Sequence, residues 1–319
     1  MTKHKRAFVG VAGATALVAA LTACGGNQGA EAGDGLSGTV NVDGSSTVGP
    51  LSTAAAEFFQ EENPGVQVTV GISGTGGGME KFCNGELDVT GASRPMDEEE
   101  AAVCETNGVS FEEFHVANDA LTVVVSKEND WATCLTVEQL QAIWGPNSEV
   151  TNWNQVDESF PDEPLELFGA GTDSGTFDYF TEAVNGEEGA TRTDYAPSED
   201  DNVTVQGVSG SPGGMGYFGF SYYEENADTL TAVEIDNGDG CVAPSVEAVQ
   251  DGSYAPLGRP LFIYPTTSAL ERPEALAFVE FFVEEHAQIA EDAQFIPLNP
   301  EQEEELNTDL EALKENADS

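Results

Sequence analysis

Three stretches of the chain are built almost wholly from Gly, Ser and Thr: Asp43-Gly44-Ser45-Ser46-Thr47, Ser73-Gly74-Thr75-Gly76-Gly77-Gly78, and Gly169-Ala170-Gly171-Thr172-Asp173-Ser174-Gly175-Thr176. Hydroxyls and backbone N–H groups at the start of a helix suit an oxyanion, because the first N–H groups lack intrahelical partners and the dipole is positive there. Gly76-Gly77-Gly78 carries an entropic cost that a simple turn does not require, and close approach of backbone to a ligand is one reason to accept it. Glycine turns and Ser or Thr caps also occur at many junctions that bind nothing. It is the conjunction of three that points to a cradle for one small anion. A fourth segment, Gly91-Ala92-Ser93-Arg94, adds a guanidinium able to make a forked, charge-assisted contact to a tetrahedral oxyanion. The plainer role for Arg94 is an ion pair with one of the many carboxylates. Lys81, Lys127, Arg192, Arg259, Arg272 and Lys314 lack a comparable Gly/Ser context, although Arg192 can reach a cleft from a loop. Nucleotide and hydrolase signatures are missing: there is no Walker Lys, no complete dinucleotide fingerprint, and no GxSxG elbow at Ser73, Ser174 or Ser209.

The elements that must position these groups alternate between strand and helix, which predicts α/β layers with largely parallel sheets. Strands are expected at Thr39–Val42, Val66–Val70, Leu87–Thr90, Leu121–Ser126, Leu165–Phe168, Met215–Phe220, Leu230–Ile235 and Leu261–Tyr264. Each Gly/Ser/Thr segment lies between such a strand and a following helix: Leu51–Glu62, a helix through Met79–Phe82, and one starting at Thr176. A helix follows Asp97, Thr136 caps one ending near Trp144, and acid-rich helices over Pro273–Ala293 and Glu301–Leu313 close the chain.

Composition bounds the partners. The 319 residues carry 58 acidic and 10 basic side chains, a net charge of −48, which disfavours nucleic acid and anionic lipid surfaces. Lys3, Lys5 and Arg6 followed by the apolar run Ala7–Leu21 read as a secretory signal over residues 1–23, too short for a stable membrane span. Leu21-Thr22-Ala23-Cys24 resembles the bacterial lipobox, which makes Cys24 the lipid-bearing N-terminus and residues 24–38 a flexible tether. Cleavage there leaves 7 basic against 58 acidic residues, or −51. Cys83, Cys104, Cys134 and Cys241 then remain, an even number suited to an oxidising compartment. Three pairings exist; Cys83–Cys104 with Cys134–Cys241 is preferred, because the first two sit on helices flanking a single strand. With no CxxC spacing or adjacent His, a metal site is not expected, nor any cofactor. His115 and His286 are assigned structural roles.

Asp43-Gly44-Ser45-Ser46-Thr47, Ser73-Gly74-Thr75-Gly76-Gly77, Gly91-Ala92-Ser93-Arg94 and Thr172-Asp173-Ser174-Gly175-Thr176, in that order and spacing, resemble the phosphate-binding lipoproteins of bacterial phosphate ABC importers. The likeness spans about residues 38–290, including Gly213-Gly214-Met215-Gly216-Tyr217 and Arg259-Pro260-Leu261-Phe262-Ile263-Tyr264. It implies the type II periplasmic-binding-protein fold: two α/β lobes joined by two crossover strands with the ligand between them. Residues 39–120 and 236–319 form lobe 1 on this reading, and residues 121–235 lobe 2.

The resemblance further implies that Ser46, Thr47, Thr75, Gly76, Ser93, Arg94, Asp173, Ser174, Gly175 and Thr176 hold inorganic phosphate through hydroxyls, N–H groups and one guanidinium. In members of that family an Asp follows the Ala-Ser pair and an Arg lies four residues before the Ser of the third segment. Here those places hold Arg94 and Ala170. The carboxylate that accepts the phosphate proton is therefore open among Asp173, Asp43 and Asp119, with Asp173 favoured. The implied protein is a non-enzymatic, lipid-anchored, monomeric receptor at the outer face of the cytoplasmic membrane that captures phosphate by lobe closure and delivers it to permease and ATPase subunits. The other classes are a surface phosphatase or hydrolase using Ser174, a sensor or adhesin on the same fold, and a receptor for another oxyanion such as sulfate.

Overall fold

A computed structural model describes residues 35–172 and 174–317. The signal segment, Cys24, most of the tether and Asp173 lie outside these residues. In the first half of the chain strand and helix alternate: β1 (Gly38–Gly44), α1 (Gly49–Glu62), β2 (Val66–Val70), α2 (Gly74–Cys83), β3 (Val89–Ala92) and α3 (Glu98–Asn107). The long β4 (Phe114–Ser126) leads into the second half: β5 (Cys134–Thr136), α4 (Val137–Trp144), β6 (Glu166–Ala170), α5 (Gly175–Asn185), β7 (Ala196–Ser198), α6 (Asp201–Gly210), β8 (Gly214–Gly219) and α7 (Phe220–Asn226). Short strands β9 (Leu230–Ala232), β10 (Glu234–Asp236) and β11 (Cys241–Val242) precede α8 (Val246–Gln250). Then β12 (Gly258–Pro265) returns, followed by α9 (Thr267–Leu270), α10 (Pro273–Glu284), α11 (His286–Asp292) and α12 (Pro300–Ala317).

One nine-stranded sheet runs β2-β1-β3-β12-β4-β8-β6-β7, with β9 also paired to β4. β1 pairs in parallel with β2 and β3, and β6 in parallel with β7 and β8. The expected parallel character therefore holds within each half, but β12 and β4 pair antiparallel with each other, and with β3 and β8 on either side. These two strands connect the halves. β4 begins seven residues before the apolar run that marked it, because His115, Asn118 and Asp119 are polar residues built into a strand buried nearly throughout.

Two main apolar cores flank this junction. One gathers α1, α10, α11 and α12 onto β1 and β2, with Phe59 edge-on to Phe278 at 5.5 Å. The other surrounds Trp144, which meets Phe180, Tyr195 and Tyr217 edge-on at 5.1–5.6 Å, and it also takes in Ala248, Val249, Tyr254 and Leu257. Burying one such large side chain contributes about 1.5–3 kcal/mol. Asp97 and Thr136 make capping boxes with Glu100 and Gln139, as their positions suggested.

Two further expected elements are divided. The strand read as Leu230–Ile235 breaks at Val233, so that its ends pair with different partners, β4 and β5. The helix read as Pro273–Ala293 is interrupted at Glu285, between α10 and α11. β7, α6, α7 and α8 come from short segments without a sustained hydrophobic period. Both disulfides, Cys83–Cys104 and Cys134–Cys241, are formed. Cys134 and Cys241 lie close to Glu234, but their sulfurs are bonded to each other and are not free to hold a metal. No helix among the described residues is long and apolar enough to cross a membrane.

Candidate functional site

The first three Gly/Ser segments of the chain end at the same edge of the sheet, because β1, β2 and β3 are parallel neighbours. Asp43 ties the first two together: its carboxylate accepts from Gly44 N–H at 2.7 Å, Ser73 Oγ at 2.9 Å and Lys81 Nζ at 2.5 Å. Burial pushes this carboxyl up, but the hydrogen bond from Lys81 and those from Gly44 and Ser73 outweigh it and hold it below its ordinary value. Asp43 is therefore fully engaged in joining β1 to α2. At the next junction the Thr75 hydroxyl lies 3.1 Å from that of Ser93 and accepts from Ser93 N–H at 3.3 Å.

Ser46, Thr47, Thr75, Gly76, Ser93 and Arg94 share the wall of a cavity of about 200 Å³. Six of the expected site residues are thus brought together. Gly175 and Thr176 line a second cavity, of about 500 Å³, which has Ser46 and Thr47 in common with the first. The backbone of Gly175 presses on that shared wall: a Cβ there would stand 3.2 Å from Ser46 and Thr47. The Ser174 hydroxyl caps α5, accepting from Thr176 N–H at 3.2 Å. Ser46 Oγ in turn donates to Asp178 Oδ2 at 3.1 Å, a contact between the two halves.

Two cations line the smaller cavity, the Arg94 that the sequence favoured and Arg259. Arg94 lines it, but its guanidinium is forked onto Glu100, with Nη1 and Nη2 each 2.8 Å from a carboxylate oxygen. The geometry expected toward an anion is made instead toward a side chain of α3. Arg259, set aside for want of a glycine context, supplies the buried charge. It is the second residue of β12, directly opposite Asp119 of β4, its Nε 3.4 Å from Asp119 Oδ2 and its Nη2 2.5 Å from Thr47 Oγ1. The guanidinium carbon lies over the Tyr179 ring, 3.2 Å from the centroid, so cation–π attraction adds to the pairing. Only 10 % of its side chain is exposed, against 36 % for Arg94. Arg192 is also buried, but it bonds to Asp194 and to the carbonyls of Ile143 and Val150, which makes it a loop anchor.

Carboxylates complete the wall. Asp178 and Glu182 of α5 and Glu188 beyond it face the same cavity as Arg259. Burial pushes the Asp178 carboxyl above its ordinary value, against the pull of Ser46 and Arg259. Burial likewise raises Glu188, with Asp178 and Glu182 adding to the shift. Asp119 is raised by burial in spite of Arg259. The sequence did not point to Asp178 or Glu182, yet Ser174, Asp178 and Glu182 are spaced four apart and so fall along one helix face, which is the signal that would have found them.

The triple glycine has a different explanation from ligand approach. A Cβ on Gly76 would meet nothing within 4 Å, whereas one on Gly78 would stand 2.5 Å from Gly44 Cα and 2.7 Å from Thr90 Oγ1. Gly78 lets α2 lie directly on β1, and this contact sets the position of Thr75.

A family model described as PBP superfamily domain matches residues 29–286. Protein SphX of Synechococcus elongatus is 49 % identical over 262 residues, covering 81 % of this chain and 77 % of that protein. Phosphate-binding protein PstS of Staphylococcus saprophyticus is 39 % identical over 290 residues, covering 90 % and 89 %. Among solved structures, a possible phosphate binding protein from Planctomyces limnophilus superposes with a TM-score of 0.84 at 48 % identity, covering 87 % of this chain and 99 % of that one.

Proposed function

We propose a function from the premise that the chain belongs to the PBP superfamily and, within it, to the PstS-like phosphate-binding proteins. It is an extracytoplasmic receptor that binds inorganic phosphate and serves an ABC importer. The observation that carries this reading is the set of hydroxyls of Ser46, Thr47, Thr75 and Ser93 facing the Arg259 guanidinium in one cavity. Micromolar capture needs about 8 kcal/mol, which a few charge-assisted hydrogen bonds at roughly 1.5–3 kcal/mol each supply. They must act locally, because the charge of the whole chain repels anions and is screened beyond about 10 Å at 0.1 M salt. Calorimetric titration of the mature chain with phosphate and sulfate is the test: saturable phosphate binding is expected, and its absence would remove the reading.

In this proposal Ser46, Thr47, Thr75, Gly76 and Ser93 bind from the first lobe, and Ser174, Gly175 and Thr176 close from the second. The lobes are residues 39–120 with about 258–319, and about 121–257, pivoting on β4 and β12; the second lobe reaches past residue 235 because Ala248, Val249, Tyr254 and Leu257 pack into its core and Cys241 is bonded to Cys134. The chain acts as a monomer held to the membrane by lipid on Cys24. It is a binder and not an enzyme: the described residues of the smaller cavity include no His or Lys to activate a serine. Turnover of phosphate esters by the pure protein would contradict this.

Two residues separate the site from the sequence expectation. Arg94→Ala is expected to weaken phosphate binding by no more than about fivefold, since a half-exposed guanidinium already paired with Glu100 contributes on the order of 1 kcal/mol. A hundredfold loss by calorimetry would restore Arg94 as the anion's main cation.

Asp178 is the carboxylate we assign to the phosphate proton, because it lines the cavity and accepts from Ser46, whereas Asp43 is engaged by Lys81 and Asp119 by Arg259; Asp173, favoured by the sequence, lies outside the described residues. As a carboxylate it accepts a hydrogen bond from monohydrogen phosphate and repels sulfate. Protonation removes the acceptor, so phosphate affinity falls as pH falls through the Asp178 pKa, which burial places higher than that of an ordinary Asp. Asp178→Asn is expected to lose this acidic limb and to narrow the phosphate-over-sulfate preference by roughly tenfold or more. Unchanged discrimination in the variant would rule Asp178 out of the role.

A further inference from the structure

A buried cation needs compensation, and the form of that compensation decides what the cation can still do. A carboxylate compensates through the edge of a guanidinium and takes the N–H donors that an anion would use, as Glu100 does with two 2.8 Å bonds to Arg94. An aromatic ring compensates through the face, by its quadrupole, and leaves the in-plane donors free. Arg259 is held chiefly in the second way. Its guanidinium carbon stands 3.2 Å from the centroid of the Tyr179 ring, while its contact with the buried Asp119 carboxylate is a single one, from Nε at 3.4 Å. Nη2 donates to Thr47 Oγ1, and Nη1 makes no hydrogen bond among the described residues.

Tyr179 is built to stay under that charge. It is 5 % exposed and lines the same cavity as Arg259. Its hydroxyl donates to the Pro256 carbonyl at 2.8 Å, which ties the ring to the segment leading into β12. Burial pushes the phenol pKa far up against the pull of Arg259, so the ring carries no charge of its own to neutralise the guanidinium. Gly175 and Tyr179 are spaced four apart on α5 and share a face, so the helix that brings Gly175 onto Ser46 and Thr47 also presents this ring.

We propose that Tyr179 is a positioning residue for the bound anion: its face holds the Arg259 guanidinium away from a forked pairing with Asp119 and so keeps the Nη1 and Nη2 donors for phosphate. The inference rests on Arg259 serving as the cation of the phosphate site, as read above. Without the ring, the compensation left for the buried charge is Asp119, and the guanidinium turns its edge onto that carboxylate as Arg94 has done onto Glu100. Phosphate then has to break a desolvated pair before it can bind.

The test is calorimetric titration with phosphate of the mature chain, unaltered and with Tyr179 replaced. Tyr179→Phe keeps the face and is expected to bind within about threefold of the parent, whereas Tyr179→Leu should bind about tenfold more weakly. Mono-, di- and trifluorophenylalanine in place of Tyr179 keep the shape of the ring and drain its negative face step by step. Affinity should fall in that order, by roughly tenfold in all. Adding Asp119→Asn to Tyr179→Leu removes the competing carboxylate and should recover most of the loss, which a purely structural role for the ring would not predict. An affinity that stays level along the fluorinated series, or a Tyr179→Leu loss that Asp119→Asn leaves in place, overturns the inference while phosphate binding by the unaltered chain stands. Parental phosphate affinity in Arg259→Gln removes the cation on which the inference depends, and failure of the unaltered chain to bind phosphate removes the anion reading as well. The fluorinated series decides the matter even if Tyr179→Leu does not fold.

Discussion

In the Arg259→Gln protein, phosphate affinity is expected to fall by about a hundredfold or more, roughly 3 kcal/mol. The guanidinium is almost wholly buried, lies on Tyr179 and bonds to the Thr47 hydroxyl, one of the groups proposed to hold the anion. Of the two guanidiniums on the cavity wall it is the one not forked onto a carboxylate of α3, since Arg94 is held by Glu100. Removing one member of a desolvated charge pair also leaves the other exposed to the cost of burial, and breaking such pairs typically costs about 3–5 kcal/mol of stability. Asp119 would be that residue, and its pKa, already raised by burial, would rise further without Arg259. Thermal melting therefore has to accompany calorimetry. The Arg259→Gln/Asp119→Asn double variant should recover much of the melting temperature while still failing to bind phosphate tightly. Wild-type affinity in either variant would mean that the anion's charge is met elsewhere.

The Gly78→Ala protein is expected to be less stable by about 1–3 kcal/mol, the usual cost of forcing a methyl group into a filled contact. The neighbour that the methyl would meet is the Gly44 backbone, which cannot turn aside as a side chain would. α2 would have to lift from β1, carrying Thr75 away from Ser93, so phosphate affinity should fall together with melting temperature. Gly76→Ala is the matched control: its Cβ enters open space and alanine favours a helix over glycine by up to about 1 kcal/mol, so that protein should melt no lower than the parent. Equal melting of the two variants in differential scanning calorimetry would show that the α2–β1 contact gives way freely.

The strand–helix order and the first cluster of hydroxyls were legible in the sequence because local chemistry dictates them. Glycine at Gly44 and Gly78, and hydroxyls at Ser46, Thr47, Thr75 and Ser93, follow from what a tight junction before a helix demands. Arg259 was not legible in this way. Its partner Asp119 is 140 residues away, and the two meet only because β12 and β4 are neighbours in the sheet. A signal did exist: each is a charged residue at the margin of an apolar strand, Leu261–Tyr264 and Leu121–Ser126, and a charge carried inward on a strand requires an opposite one. The same masking shortened β4, where Asn118 bonds to Gln302 of α12 and so hides a buried strand behind a polar residue. Asp178 was not legible because it lies one turn beyond the Ser174 cap, where an acidic residue on a helix commonly faces solvent.

Arg259 and Asp119 occupy paired positions on adjacent strands, so their separation is fixed by the sheet ladder and not by how the two halves of the protein stand. Asp178 and Gly175 reach Ser46 and Thr47 from the opposite half, so under the closure proposed above these are the contacts that closing makes. Under that proposed closure the cation is in place for an arriving ion before the halves meet, whereas the α5 groups act only after arrival. Association rate and residence time are thereby assigned to different strands and helices, and selection can lengthen the stay of the ligand without slowing its entry.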